Sequence, residues 1–282
     1  MLSQTIAILI NPNLKDRKLK GILNKILIVL LKRNMANKSY REEWPTDINI
    51  FKEVWIIGGD GTLNYLLNYY KTITIPIAIF KGGTGNDFAW KLYGKVSIAK
   101  QLNNILVATP KKVDAAECNG RIFINGIGLG FDGEVLRSIK TVRLIGGHIG
   151  YLLVVIKKIF IFKEHRFTIR FDGKMIEGNF LLVLVTNSTR TGGGFLVSPE
   201  ASIVDGKLNM ILCQPFSITK RLMNLPIIQN GKHLDKNYII HKLVNRVVIE
   251  CKKKLYAQLD GELIDGKTFT IKVTPQRYLF KY

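Results

Sequence analysis

The chain has 282 residues, 47% of them hydrophobic, with 42 Lys and Arg against 21 Asp and Glu and a formal net charge of +21. That length and apolar content support a buried core and leave room for two domains. No uninterrupted apolar run reaches the roughly eighteen residues of a membrane span, because the best, Leu144 to Ile156, stops at Lys157 and Lys158.

From the N-terminus, Ile6 to Ile10 is a short apolar run stopped by Asn11-Pro12 and predicts a buried strand entering a turn. Before it lies neither a basic stretch nor a small-residue cleavage site, so the chain reads as soluble and cytoplasmic. Leu19, Ile22, Leu23, Ile26, Leu27, Leu30 and Leu31 recur at helical spacing, with Lys20, Lys25, Lys32 and Arg33 between them. They predict an amphipathic helix whose apolar stripe packs on the core. Val54 to Ile57 is the next strand and ends at Gly58; Thr62 to Tyr70 follows with helical character. Ile75 to Phe80 is another strand, closed by Gly82-Gly83-Thr84-Gly85 before a helix from about Asp87. Strands alternating with helices through short loops predict a parallel sheet covered on both faces.

Pro110-Lys111-Lys112 reads as a boundary, and beyond it the texture changes. Arg121–Asn125, Phe167–Phe171, Phe180–Val185, Leu208–Leu212, Arg246–Glu250, Leu255–Leu259 and Phe269–Val273 are strand-like. Asn119-Gly120, Asp172-Gly173, Asp205-Gly206, Asp260-Gly261 and Asp265-Gly266 punctuate them as turns. Helical segments are expected near Tyr151–Phe162 and Ile218–Ile228. The fold class is therefore α/β plus mostly β: an N-terminal α/β nucleotide-binding domain over 1–109 and a β-sandwich-like domain over 110–275, with 276–282 returning to the first.

The basic excess draws the protein to polyanions. The Lys and Arg residues are scattered, as in Lys15-Asp16-Arg17-Lys18 and Lys252-Lys253-Lys254, without an aromatic-interleaved RNA motif, zinc finger or basic zipper, so no nucleic-acid partner is expected. Cys118, Cys213 and Cys251 are odd in number and far apart, and read as buried thiols rather than a disulfide framework or zinc site. His148, His165, His233 and His241 form no ligand pattern.

The sharpest feature is Gly58-Gly59-Asp60-Gly61-Thr62-Leu63-Asn64, between a strand and a helix. Glycines let the backbone approach a ligand without Cβ obstruction, and the helix presents unpaired N–H groups and its positive dipole end to an anion. Asp60 would repel phosphate in a pure cradle; it suits binding of a magnesium ion or orientation of a hydroxyl nucleophile, or else capping of a helix. Gly82-Gly83-Thr84-Gly85-Asn86-Asp87-Phe88 repeats the arrangement one βαβ unit later. Two such loops at the ends of neighbouring parallel strands face one crevice, where open α/β sheets bind ligands. Neither loop is a Walker A or a Gly-x-Gly-x-x-Gly motif.

The paired loops resemble the catalytic domain of the diacylglycerol kinase family, especially its soluble bacterial lipid kinases. The resemblance extends to Asn11-Pro12, Asp114, Asn125-Gly126-Ile127-Gly128-Leu129-Gly130-Phe131-Asp132, Pro199, Asp205-Gly206-Lys207-Leu208 and Leu259-Asp260-Gly261-Glu262. It implies ATP held between two domains and transfer of its γ-phosphoryl group to a lipid hydroxyl, with diacylglycerol the first candidate. It implies ATP contacts from Asn11, Gly58, Gly59, Asp60, Gly61, Thr62, Leu63, Asn64 and Thr84. Glu262 matches the family's proton acceptor, with Asp60 beside it in the catalytic set. Asp205, with carbonyls at Ser202 and Lys207, matches a structural magnesium site, and Asp60, Asp87 and Asp114 match an acidic network around the catalytic Mg2+. The implied partner is a lipid at an anionic membrane surface, with peripheral association, and an edge of the β-rich domain offers a dimer contact.

Three positions depart from the family pattern: Asn13-Leu14-Lys15 after Asn-Pro, Tyr65 in place of an acidic residue, and Trp90 in place of an arginine. The competing readings are an NAD kinase, which shares Gly-Gly-Asp-Gly-Thr but not the second loop, and a non-catalytic polyanion-binding relative.

Overall fold

A computed structural model describes residues 2–83, 85–141 and 147–282. Thr84 and the start of the Leu144–Ile156 run lie outside the described residues. The chain separates into two compact units, residues 1–115 with 275–282, and residues 116–274.

In the first unit β1 (Ile6–Ile10), α1 (Asp16–Lys32), β2 (Asn37–Tyr40), β3 (Glu53–Gly58), α2 (Asp60–Tyr69), β4 (Ile77–Lys81), α3 (Asp87–Tyr93) and α4 (Ile98–Val107) follow in order. β1 pairs in parallel with β2 and β3, and β3 with β4, placing Gly58 opposite Lys81. The returning C-terminal segment adds Phe280 beside Ile77, again parallel. Every residue of β1 and β3 is buried, as a parallel sheet covered on both faces demands. α1 turns Leu19, Ile22, Ile26 and Leu30 of the predicted stripe to the core, with Leu23 and Leu27 half-buried, but leaves Leu31 exposed. β2, with the sequence Asn-Lys-Ser-Tyr, carries no apolar signal and exists because β1 offers it an edge.

Then come β5 (Lys111–Cys118), β6 (Arg121–Phe123), β7 (Gly126–Gly130), α5 (Phe131–Thr141), α6 (Gly147–Ile161), β8 (His165–Phe171), β9 (Lys174–Phe180), β10 (Leu182–Thr186), β11 (Leu208–Cys213), α7 (Ile218–Gln229), β12 (Ile239–Val244), β13 (Arg246–Leu259) and β14 (Glu262–Phe280). The division between units falls within β5, a few residues after the boundary expected at Pro110. In the second unit β12, β11, β10, β7 and β13 are hydrogen-bonded antiparallel in that order; β8 also pairs with β13, and β9 with β8. Phe123, Phe167, Leu212, Val247, Ile249 and Phe269 belong to its core.

Three of the five predicted Asx-Gly turns join paired strands, and a fourth, Asp205-Gly206, is a bend. Asn119-Gly120, Asp172-Gly173 and Asp260-Gly261 have positive φ at both residues, the type I′ requirement, and Asp205-Gly206 has it at Gly206. Asp265-Gly266 is different: it lies inside β14, opposite Tyr256 and Leu255, beside a register shift between Glu250 and Leu255. The two strands expected over Arg246–Glu250 and Leu255–Leu259 are thus one irregular strand.

Candidate active site

The two glycine loops are packed backbone to backbone. Gly82 N–H donates to Gly58 O (2.7 Å). A Cβ on Gly59 would lie 2.7 Å from Gly85 O and 2.8 Å from Gly83 Cα, and one on Gly83 would lie 2.6 Å from Gly59 Cα. The glycines are required by contact between the loops themselves. Gly61 is the exception: it is exposed, and nothing lies within 4 Å of where its Cβ would be.

The helices behind the loops differ. Asp60 lies in the first turn of α2, and its carboxylate crosses to α3, accepting from Asp87 N–H (Oδ2, 2.8 Å) and Phe88 N–H (Oδ1, 3.0 Å). It caps α3, its neighbour, rather than its own helix. Asn86 locks the loop before α3, accepting from Gly83 N–H (3.1 Å) and donating to Gly83 O (2.9 Å). α2 begins at Gly59 with no side-chain cap. Its first N–H groups at the exposed Gly61 turn thus keep the positive end of the helix dipole available to an anion.

Around that open end stand Asn11 and Lys18. Asn11 Nδ2 donates to Thr62 Oγ1 (2.8 Å), and its Oδ1 accepts from Asn13 N–H (2.9 Å), so the altered Asn13-Leu14-Lys15 segment still folds onto the Asn-Pro turn. Lys18, on the first turns of α1, reaches Gly83 O (3.2 Å) and places an exposed ammonium over the loops. Leu63 is fully buried, so its side chain is core scaffold, and the nucleotide contact expected there would fall to its backbone. Asn64 is also buried, with its side-chain oxygen accepting from Asn68. Tyr65 is exposed and joins an aromatic cluster with Trp44 (5.2 Å) and Tyr69 (5.6 Å); Trp90 is exposed on α3.

In the second unit Glu262 is exposed at the first position of β14, opposite Leu259 across the Asp260-Gly261 turn. The turn is held rigidly. Asp260 is buried and its carboxylate accepts three backbone N–H groups, from Ile124 (2.7 Å), Asn125 (2.9 Å) and Gly126 (3.0 Å). The Asn125 carbonyl in turn accepts from Asn187 and Ser188 N–H. Ser188 Oγ and Thr189 Oγ1 are buried without a hydrogen-bond partner. An unsatisfied buried hydroxyl costs about 1–3 kcal/mol, a penalty that a bound polar ligand would relieve.

The expected acidic metal network is not assembled. Asp60 is committed to α3, and the fully buried Asp114 accepts from Gln276 N–H (2.7 Å), anchoring the returning segment within the first unit. Asp87 is buried at the start of α3. Asp205 Oδ1 accepts from Lys207 N–H (3.0 Å) and Ser202 Oγ from Val204 N–H (3.3 Å), an exposed loop with one carboxylate. Among the described residues no three Asp, Glu, His or Cys side chains converge as a metal cage. The magnesium site expected at Asp60, Asp87 and Asp114 thus shows no preassembled cluster of three acidic side chains, whereas the one expected at Asp205 with the Ser202 and Lys207 carbonyls relies on a single carboxylate.

Residues 125–279 match the family model of the YegS C-terminal NAD kinase beta sandwich-like domain, and residues 6–118 that of the diacylglycerol kinase catalytic domain. The chain belongs to the diacylglycerol kinase family, in its YegS-type two-domain form. Membership makes it an enzyme of the lipid-kinase class. It is 26% identical over 209 residues to the diacylglycerol kinase of Bacillus subtilis, covering 73% of this chain and 69% of that one. A crystal structure of a diacylglycerol kinase from Bacillus anthracis str. Sterne shares the fold with a TM-score of 0.78 at 24% identity, over 99% of this chain and 97% of that one. An NAD kinase from Archaeoglobus fulgidus, solved in complex with ATP, shares it more distantly, with a TM-score of 0.59 at 15% identity over 99% and 93%.

Sequence reasoning missed three residues of this diacylglycerol kinase family member. Lys18 was hidden in a run of charges. Asp132 lay in a matched motif without a role, yet burial pushes its carboxyl up to about 6, a hydrogen bond from Gln258 opposing the rise. Gln258 carried no signal, because its neighbours in space come from β7, α5 and the loop after β10.

Proposed function

We propose that the protein transfers the γ-phosphoryl group of ATP to the hydroxyl of a membrane lipid, with diacylglycerol as acceptor and phosphatidic acid as product. The observation that carries this reading is the uncapped start of α2 beside Gly61, flanked by Asn11 and Lys18, while the neighbouring helix is already closed by Asp60. Phosphate oxygens placed there would accept from the α2 N–H groups, and the Lys18 ammonium would neutralise charge spreading over the transferred group. Asp60 holds the two loops in register by capping α3.

Glu262 stands exposed on a hairpin whose tip is fixed by the buried Asp260, which suits a base that must meet an incoming hydroxyl. It would take the proton as the hydroxyl oxygen forms its bond to phosphorus and ADP leaves. Magnesium arriving with the nucleotide phosphates would keep most of its waters, as that ion does when few carboxylates are offered. The formal charge of +21 favours a cytoplasmic enzyme working at an anionic membrane surface, where each nearby Lys or Arg contributes about 1 kcal/mol.

Glu262→Gln tests the assignment. It should lower kcat for lipid phosphorylation about 100-fold or more while leaving the KM for ATP unchanged. Asp60→Asn should lower both activity and thermal stability. Full activity in both variants would remove these residues from the mechanism.

A further inference from the structure

The first strands of the N-terminal unit lie in the order β2, β1, β3, so the chain leaves β1 outward to β2 and then returns to the other side of β1. Open parallel sheets bind ligands at the carboxyl ends of their strands, beside such a reversal. Asn11, after β1, and Gly58, at the end of β3, flank it, and the loop after β2 carries Trp44. We propose that Trp44 and Tyr65 form a stacking platform for the base of the phosphoryl donor, and that a base held by its face lets GTP serve as well as ATP. The proposal rests on the kinase reading and deepens it by naming the donor class.

Three features select a flat, uncharged group at that position. First, the platform lies beside the phosphate end of α2. Gly61 and Tyr65 are four residues apart on that helix and share a face, about 6 Å apart along its axis. Gly61 borders open space and Tyr65 is 56% exposed, so a nucleotide with its phosphates at the start of α2 would extend along this face and meet the Tyr65 ring. Arg41 ties the loop after β2 to the same place. Its guanidinium donates to Pro12 O (3.3 Å) and Leu14 O (3.1 Å), in the turn that follows Asn11, and pairs with Asp16 (3.0 Å).

Second, the rings are held in place by one another. Trp44 meets Tyr65 edge to face (5.2 Å, 71°) and stacks on Tyr70 (6.3 Å, 8°), a buried residue whose hydroxyl donates to Pro45 O. Tyr65 stacks in turn on Tyr69 (5.6 Å, 17°), four residues along α2. An aromatic face fixed in this way loses little freedom when a base stacks on it. Stacking tolerates any base, because every base has a π-face, and contributes about 10-fold or more in affinity.

Third, the charges around the platform suit the uncharged part of a nucleotide. Residues 42 to 51 include Glu42, Glu43 and Asp47 and no Lys or Arg. Phosphates and anionic lipid would be repelled there, whereas Lys18 and the uncapped N–H groups favour them at the start of α2. A base over Trp44 and Tyr65 with its triphosphate at Gly61 satisfies both ends. Tyr65 stands where the family pattern carries an acidic residue, so the platform belongs to this chain rather than to the pattern.

The test uses the full chain with magnesium and measures affinity for ATP, GTP and inorganic tripolyphosphate by calorimetry, with phosphorylation of dioctanoylglycerol by each nucleotide assayed in parallel. The wild-type protein should bind ATP and GTP within about 5-fold of each other, and each about 10-fold more tightly than tripolyphosphate. Tyr65→Ala should weaken both nucleotides about 10-fold and leave tripolyphosphate unchanged, a pattern that a general disturbance of the fold would not give, and Tyr65→Phe should retain wild-type affinity. Nucleotide quenching of tryptophan emission, present in the wild-type protein and lost in Trp44→Phe, reads the same contact without a truncation. Equal ATP affinity in the wild-type protein and Tyr65→Ala, unaltered quenching in Trp44→Phe, or failure of GTP to bind would overturn the platform and leave the kinase reading standing. Nucleotide binding that follows the platform without phosphorylation of the lipid would keep the platform and remove the kinase reading.

Discussion

The glycine loops of the first unit and the apolar cavity among α5, α6, β10, β11 and α7 of the second are built by opposite means. The loops use backbone: contiguous residues, minimal side chains, an uncapped helix start and a single lysine. The cavity is lined by side chains drawn from residues 131 to 228, and Gln258 joins its Thr191 end to the hairpin carrying Glu262. A backbone site tolerates change only where space is open, whereas a side-chain site can be resized one residue at a time.

The largest effect should come from adding one methyl group to the loops. Gly59→Ala puts a Cβ 2.7 Å from Gly85 O and should cost about 3 kcal/mol and abolish activity, read by chemical denaturation and ATP turnover. Gly61→Ala, at the open position, should change stability by less than about 0.5 kcal/mol yet weaken ATP binding. If the two variants behave alike, the division of labour within the loop is wrong.

A smaller effect is expected at Lys18. Removing an exposed ammonium from the nucleotide should raise the KM for ATP about 10-fold in Lys18→Ala with no loss of thermal stability, because a hydrogen bond to a charged group is worth about 1.5–3 kcal/mol. An unchanged KM would take Lys18 out of the site.

The smallest effect is a pH dependence in the second unit. Burial pushes Asp132 from 3.8 to about 6 in the native state. Between these values the native protein binds more protons than the unfolded chain, so its stability falls as pH rises. The contribution of the protonated carboxyl is complete below about pH 4 and is lost as pH rises through about 6. Asp132→Asn, which cannot ionise, should remove this slope; denaturation of both proteins across pH 4 to 7 measures it. Parallel curves would mean that Asp132 is not held in its neutral form.

The same contrast explains what was legible in the sequence. Gly58–Asn64 and Gly82–Phe88 announce themselves because chemistry and geometry reside in consecutive residues. The apolar runs of β1, β3 and β4 are equally plain, since buried parallel strands have no polar face. β7 was invisible: Gly-Ile-Gly-Leu-Gly has neither alternation nor strand propensity, and pairing with β10 and β13 makes it a strand. α5 follows it directly and was missed too. Asp60 was recognised, but not its crossing to α3, because a cap contributed by another helix leaves no local spacing to read. The metal expectations at Asp205 and Asp114 came from resemblance; one oxygen of Asp205 accepts from the nearby Lys207 N–H, and one of Asp114 from Gln276 N–H far along the chain.

The central claim is phosphoryl transfer from ATP to a lipid hydroxyl. Incubation of the protein with γ-labelled ATP, anionic vesicles containing diacylglycerol, and NAD in the same mixture tests it directly. The account predicts label in an organic-extractable phospholipid, lost in Glu262→Gln. Label appearing in NAD, or remaining wholly in ATP and free phosphate, would contradict it.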